Sequence, residues 1–426
     1  MNPSPEARAP SPHPAVYMLL MTPFGVTSGF LAVALAYQLN QAGMGAGAIA
    51  GLIALSYLPH TWKVLWAPLV DTLSTRKRWY LASNLVSSAG IVASGAAAVG
   101  QPSAAWLSLI VLLASTAATF VGMAIDGLMT TTVQDEERGR VSGWSQAGNL
   151  GGAGLGGGLG LWLMQGAGWS SAAAGGLLGA LCLLCGLALY GVHEGSPPRA
   201  AAPGSSGPNL RAHARAMGRD LWALVRSRAG ALALVICFLP IGSGGAGNLW
   251  SVVADTWHAS ASTVAWANGA VSGLVAALGC LLGGWLCDRM DRRTAYCAFG
   301  LVQVGCALAM AAAPRTSDQF VLWLMAYGLT QGLSYAAYAA VVLEAIGRTN
   351  GATKFSLLAA LANMPLAYVT LIDGWAQERW GATGMLLADA ATGAAGVLVF
   401  GLLVASMRGQ TRHSRAGTVR DKESSH

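Results

Sequence analysis

The sequence predicts an all-α membrane protein with twelve transmembrane helices in two pseudo-symmetric six-helix bundles. Three observations predict it. Charged residues make up 10% of the 426 residues and hydrophobic residues 54%; ordinary soluble chains carry ~25% charged residues. So few charges cannot coat the surfaces of several soluble domains, so the outer surface of the chain must face lipid. Second, apolar runs of about 20 residues, each long enough to cross a bilayer as a helix, recur along the chain. Third, the two halves repeat.

The runs lie at about 16–39, 46–70, 79–100, 105–132, 141–165, 170–190, 229–255, 262–287, 294–313, 319–346, 355–376 and 382–407. No small-residue cleavage site follows the first, so it reads as a retained span. The longest polar segment, 191–228, holds the Pro/Gly/Ser stretch Ser196 to Pro208 and then Arg211, Arg215 and Arg219. It divides the chain into a first half, 1–190, and a second, 229–407; residues 408–426 read as a disordered tail. Pro23-Phe24-Gly25 returns as Pro240-Ile241-Gly242 and Asp71 returns as Asp288, both at an offset of 217 residues. Parallel halves of this kind occur in secondary transporters, with the site between them near mid-membrane.

Lysine and arginine orient the spans. With the N-terminus inside, 22 of them fall in inner segments and two, Arg315 and Arg379, in outer ones, while Lys63 lies within a span. The positive-inside rule then puts both termini in the cytoplasm. The net charge of +7 is divided among apolar runs. It therefore reads as membrane-flanking charge, with no nucleic-acid partner implied. The seven cysteines lie in or beside apolar runs; Cys182 and Cys185 have no second pair or histidine to complete a metal site. No phosphate loop, metal cluster or nucleophile motif is present. These absences argue against an enzyme and imply no cofactor.

Intramembrane charges are the candidates for chemistry, because each costs at least ~2.5–3.5 kcal/mol at the bilayer centre. Lys63 and Asp126 each lie eight residues from a cytoplasmic helix end, ~12 Å deep at 1.5 Å per residue. Equal depth and opposite charge fit either a static ion pair or a carboxylate that exchanges partners with a proton. His60 is one turn from Lys63. Asp126 shares a face with Thr116, Thr119 and Thr130, a stripe that suits a water-lined cavity. Span ten offers Thr330, Ser334 and Glu344 on one face, with Gln331, Tyr335 and Tyr338 beside it; span seven offers Asn248, Trp250 and Asp255. Glu344, one turn from the cytoplasmic end, fits a gate or a coupling site equally. Asp373 and Asp389 fall toward the outer side without an assigned role. Gly148, Gly152, Gly156 and Gly160 recur every four residues in span five, a groove for close helix approach.

Gly284-Trp285-Leu286-Cys287-Asp288-Arg289-Met290-Asp291-Arg292-Arg293 resembles the loop signature of the major facilitator superfamily, with Asp291 in place of a glycine. Asp71 with Arg76, Lys77 and Arg78 forms a looser first-half copy. Lys63 to Asp71, Ala124-Ile125-Asp126-Gly127, Glu137-Arg138-Gly139 and Gly156-Gly157-Gly158 before Leu161-Trp162 resemble a narrower group. It comprises the muropeptide permeases and their acetyl-coenzyme A and siderophore transporter relatives. The resemblance implies the major facilitator fold and a cavity lined by spans one, four, seven and ten. It also implies a latch in which Asp71, Arg76, Arg78, Asp288, Arg289, Arg292 and Arg293 hold the cytoplasmic side shut. The subgroup's Gln-Asp pair one turn before the Asp-Gly of span four is replaced here by Val121 and Gly122. The expected function is a monomeric, proton-coupled symporter importing an amphipathic small solute across a bacterial inner membrane, its partners being that solute, protons and the bilayer. The alternatives are an exporter of the same fold and a non-transporting sensor.

Overall fold

The computed structural model describes residues 12–44, 46–97, 104–194, 225–346 and 351–423, with 215, 218, 219, 222 and 223 between them. Among these residues there is no strand. The longer helices are α1 (Pro14–Gly29), α2 (Ala46–Trp62), α3 (Arg76–Ala97), α4 (Ala104–Thr132), α5 (Arg138–Gly154), α6 (Ser171–Cys185), α7 (Arg228–Phe238), α8 (Ser272–Cys287), α9 (Arg292–Ala312), α10 (Ser317–Ile346), α11 (Gly351–Leu361) and α12 (Asn363–Glu423). α1 and α5 continue through π-helical turns, Phe30–Ala34 and Leu155–Leu159, into short helices.

Among the described residues, seven helical stretches are long and apolar enough to cross a membrane: Pro14–Leu39, Ala105–Thr132, Ser171–Gly191, Trp266–Cys287, Arg292–Ala312, Ser317–Ile346 and Thr353–Leu403. The last is 51 residues long and is broken at Gly381, whose φ of 65° no helix contains. The other expected spans fall short for identifiable reasons. The helix of α2 gives way at Lys63–Leu65 to a 3-10 turn before Ala67–Thr72, whose first turn holds Pro68, a residue without the N–H that an uninterrupted helix would use there. α3 opens on Arg76-Lys77-Arg78 and buries Ser83, Asn84, Ser87, Ser88 and Ser94. α5 begins at Arg138 and is rich in glycine and polar side chains. Span seven is interrupted between Phe238 and Trp250, where Gly242 and Gly244 adopt positive φ.

That interruption separates the two repeated tripeptides. Pro23 sits inside continuous α1. Pro240 is followed by Gly242-Ser243-Gly244-Gly245, and glycine's freedom at positive φ lets the chain leave the helix there. The 408–423 stretch, expected to be disordered, continues α12 to Glu423; extending an existing helix needs no new nucleus. The proposed linker lies largely outside the described residues.

Small residues set the packing. A Cβ on Gly148, Gly152 or Gly156 would overlap the carbonyl oxygens of Met18, Thr22 or Val26, so α5 lies directly on α1 along the expected groove. The opposite side of α5 meets α8 in the second half. There Gly143 faces Gly284 and the Cys280 carbonyl, Gly139 faces Cys287 and Asp288, and Gly273 faces Gly154. α8 in turn lies on α10, where Gly279 and Gly283 approach Leu329 and Leu333. Large apolar side chains, among them Leu81, Leu85, Leu278, Leu301 and Leu398, point outward. In water such a surface would drive association; in lipid it is the expected boundary.

Candidate functional site

At the end bearing the basic loops, the two halves of the chain touch. Ile125, Leu128 and Met129 of α4 share one buried cluster with Leu343 and Ile346 of α10 and Phe355 and Leu358 of α11. This apolar plug closes that end. Around it lies a reciprocal clasp. Arg138, in the first half, pairs with Asp135 at 2.8 Å and donates to the Glu344 carbonyl at 3.4 Å. Arg292, in the second half, pairs with Glu344 at 2.9 Å and donates to the Asp135 carbonyl. Each arginine is thus held by an acid of its own half and bonds the backbone of the other. Arg293 lies 3.9 Å from Glu344.

Asp288, at the C-terminal end of α8, faces the start of α5. Its carboxylate is 3.9 Å from Arg140 Nε and approaches the amides of Arg140 and Gly139, where a helix N-terminus favours negative charge. Half-burial is nevertheless the largest influence and raises its carboxyl above the usual range, opposed by Arg140, Arg292 and those amides.

The other latch candidates are placed differently. Arg289 lies over the Trp285 ring, 3.8 Å from its centroid, and bonds the Trp285 carbonyl, folding back on its own helix. The Arg76 and Lys77 amides are held by Glu194 at 2.8 and 3.2 Å, which caps α3. Arg78 is exposed, and the side chain of Asp71 lies outside the described set. Glu344 is 41% exposed in its side chain and belongs with the clasp rather than with an interior cavity.

Above the plug, Lys63 and Asp126 come near enough to attract one another, without an ion pair shorter than 4 Å among the described residues. Asp126 is 4% exposed, and its Oδ1 receives no hydrogen bond. His60 stands between aromatic rings, 5.2 Å from Phe24 and 6.1 Å from Tyr57, with Ser115 Oγ 3.4 Å from its Nε2. Tyr335 of α10 packs against Ala147, Cys280 and Ala336, where the halves meet.

The threonine stripe is hydrogen-bonded within its own helix. Thr119 and Thr130 are buried and donate to carbonyls of their own helix, as does Thr116, while Thr119 also accepts from Trp66 Nε1. At the position where the subgroup carries an acid, Gly122 leaves room that the Phe24 ring fills: a Cβ there would meet it at 3.3 Å.

In the second half, Gln331 packs beneath Gly244. Tyr338 is spent on packing, donating to the Leu358 carbonyl and contacting Cys237 Sγ. Asn248 bonds Thr370 at 2.9 Å. Trp250 is buried edge-on against Tyr327, with centroids 5.2 Å apart, so it is an internal strut and not a membrane-surface anchor. Two groups stand out beyond the sequence reading: the clasp partners Asp135 and Arg138, and the facing pair Asp373 and Asp389. Among the described residues no group of three or more metal-ligating side chains is assembled.

Comparison with known proteins agrees with this architecture. The family model described as the Major Facilitator Superfamily matches residues 15–247 and again 232–424. The anhydromuropeptide permease of Escherichia coli K12 is 26% identical over 365 residues, covering 82% of this chain and 71% of the relative. Among solved structures, the E. coli fucose:proton symporter FucP superposes with a TM-score of 0.67 at 16% identity, over 91% of this chain and 97% of that one. A human organic anion transporter superposes with a TM-score of 0.67 at 15% identity, over 91% and 98%. Both are likenesses of fold. With a family match over each half, apolar membrane-crossing helices and halves clasped at one end, this chain belongs to the Major Facilitator Superfamily of membrane transporters.

Proposed function

We propose that the chain imports an amphipathic small solute, such as a muropeptide or a siderophore, across the bacterial inner membrane by proton-coupled symport. In this reading it is a monomer of twelve spans. Residues 1–190 and 229–407 form two six-helix bundles joined by a cytoplasmic linker, and both termini are cytoplasmic. The basic, clasped end is then the cytoplasmic gate, and the closed plug belongs to a state that loads solute from outside. The observation that carries the reading is the cluster of His60, Lys63 and Asp126 just above that plug. It is a buried carboxylate with an unfilled oxygen near a half-buried lysine, beside the rings of Phe24 and Tyr57.

Such a carboxylate has two partners available to it, the lysine and a proton. Protonation weakens its attraction to Lys63, and a state that binds the proton better is favoured as protons are supplied. Phe24, Tyr57 and Tyr335 supply faces for a sugar ring or an apolar ring, and His60 and Lys63 supply polar contacts. Similarity to the anhydromuropeptide permease supports a muropeptide, and the Phe24 ring beside Gly122 adds an apolar surface.

The test is uptake into proteoliposomes of labelled anhydromuropeptide and, separately, of a siderophore, with and without an inward proton gradient. Gradient-stimulated accumulation of either supports the reading. Exchange that ignores the gradient removes the coupling, and binding without exchange leaves a sensor.

A further inference from the structure

Asp373 and Asp389 lie on the two arms of α12, each eight residues from the break at Gly381. At ~1.5 Å per residue both sit ~12 Å from that turn. Their side chains face each other within hydrogen-bonding range, and the residues are 0% and 6% exposed. Their surroundings are unequal. Asp389 accepts from the Tyr327 hydroxyl at 2.9 Å and from the Ala246 amide. Asp373 receives no donor on either oxygen. Among the described residues no lysine or arginine pairs with either acid. Among the described residues the titratable neighbours are Tyr327 on α10 and Cys306 on α9. The segment Gly242–Leu249 laid against the pair contains no titratable side chain.

Two adjacent carboxylates cannot both stay ionised in such a place, because burial and like charge act together against the second. A single proton resolves both problems. It removes one charge, and it gives Asp389 a third donor while satisfying one orphan oxygen of Asp373.

We propose that Asp373 and Asp389 form a proton-binding site, with the proton carried by Asp373 and donated to the Asp389 carboxylate, and that its occupancy sets the position of the interrupted segment Gly242–Leu249. The segment has no slack over the site: a Cβ on Gly245 would lie 3.0 Å from Asp373 Oδ2 and 2.5 Å from Val369 Cγ1. Thr370 lies against it, accepting from Asn248, with its hydroxyl donated to the Leu366 carbonyl at 2.8 Å and 3.3 Å from the Gly245 carbonyl. Loss of the proton sets a second negative charge under this backbone, whose Ala246 amide is already directed at Asp389. The segment must then shift to bring another donor or water. Gly242 and Gly244, at φ 62° and 74°, are the joints, and Trp250 against Tyr327 carries the movement outward. A role in coupling rests on the proton-driven reading above; the presence of the proton does not.

Infrared spectra of the reconstituted full-length protein read the proton directly, in the carbonyl-stretch region of protonated carboxylic acids and without any solute. The wild-type minus Asp373→Asn difference at neutral pH should contain one protonated-carboxyl band, Asp126 cancelling between the two. Asp389→Asn should keep the band. Tyr327→Phe, which removes only a hydroxyl, should move protonation of the second carboxyl to higher pH. An empty difference spectrum, or an unmoved titration in Tyr327→Phe, overturns the site. A band that appears only when sodium is withdrawn overturns it in favour of a cation. A protein that shows the band but ignores a proton gradient in uptake keeps the site and loses the coupling.

Discussion

Arg292→Ala should open the basic end. Arg292 pairs with Glu344 at 2.9 Å and bonds the Asp135 carbonyl of the other half. The ion pair contributes little, since the Glu344 side chain is 41% exposed and exposed pairs are worth ~0–1 kcal/mol. The bond across the halves counts for more, because a charged donor 15% exposed on a carbonyl is worth ~1.5–3 kcal/mol. Removing both shifts the closed-to-open balance by about 2 kcal/mol, or about 30-fold. The assay is the reaction rate of a cysteine at Met129, which is 2% exposed in the plug, with an impermeant thiol reagent supplied from the basic side. The seven native cysteines are replaced beforehand. The rate should rise by about that factor in Arg292→Ala. Arg292→Lys should fall between, because an ammonium lacks the planar fork that serves two acceptors at once. Equal rates in all three proteins at matched abundance would refute the clasp.

Asp288 gives a pH prediction of the opposite sense. Burial raises its carboxyl in the closed arrangement, and opening hydrates it and lets it fall back. The closed end therefore binds the proton more tightly, is favoured as pH falls, and loses that advantage as pH rises through the raised value. Asp288→Asn, permanently neutral, should slow both turnover and labelling at Met129; faster labelling would contradict this. Gly143→Leu puts a side chain into the Cys280 carbonyl and Gly284. It should cost at least ~1–3 kcal/mol of overpacking, read as a lowered Tm in detergent, and an unchanged Tm would show that α5 and α8 do not pack this closely. Cysteines introduced at Ser205 and Thr418 should label only from the cytoplasm and one at Thr316 only from outside; reaction of Ser205 from outside would reverse the proposed orientation.

Apolar runs located the helices because lipid permits few other backbones. What they did not reveal were the places where a run stops being one helix. Pro68 and the Gly242-Ser243-Gly244-Gly245 cluster both lie inside apolar stretches, where average hydropathy hides a local break. The spacing of Gly148, Gly152 and Gly156 was legible because four residues bring small side chains to one helical face. The clasp was legible only in part. The resemblance implied a latch role for Arg292, but Arg138 looks like any loop arginine, and the partners of both across the halves are backbone carbonyls 206 and 157 residues away. The stripe of Thr116, Thr119 and Thr130 did not reveal that each hydroxyl bonds its own helix, as threonine hydroxyls can. The acids at 373 and 389 did carry a signal, their equal distance from Gly381, the same arithmetic that matched Lys63 with Asp126.

Solute accumulation driven by an inward proton gradient, compared between wild type and Asp126→Asn in proteoliposomes, tests the coupling most directly. The asparagine stands in for the protonated acid at nearly the same volume. Accumulation against a gradient should be lost, while downhill exchange of the same solute persists and no longer varies with pH. Accumulation by Asp126→Asn with the wild-type pH dependence would contradict the account.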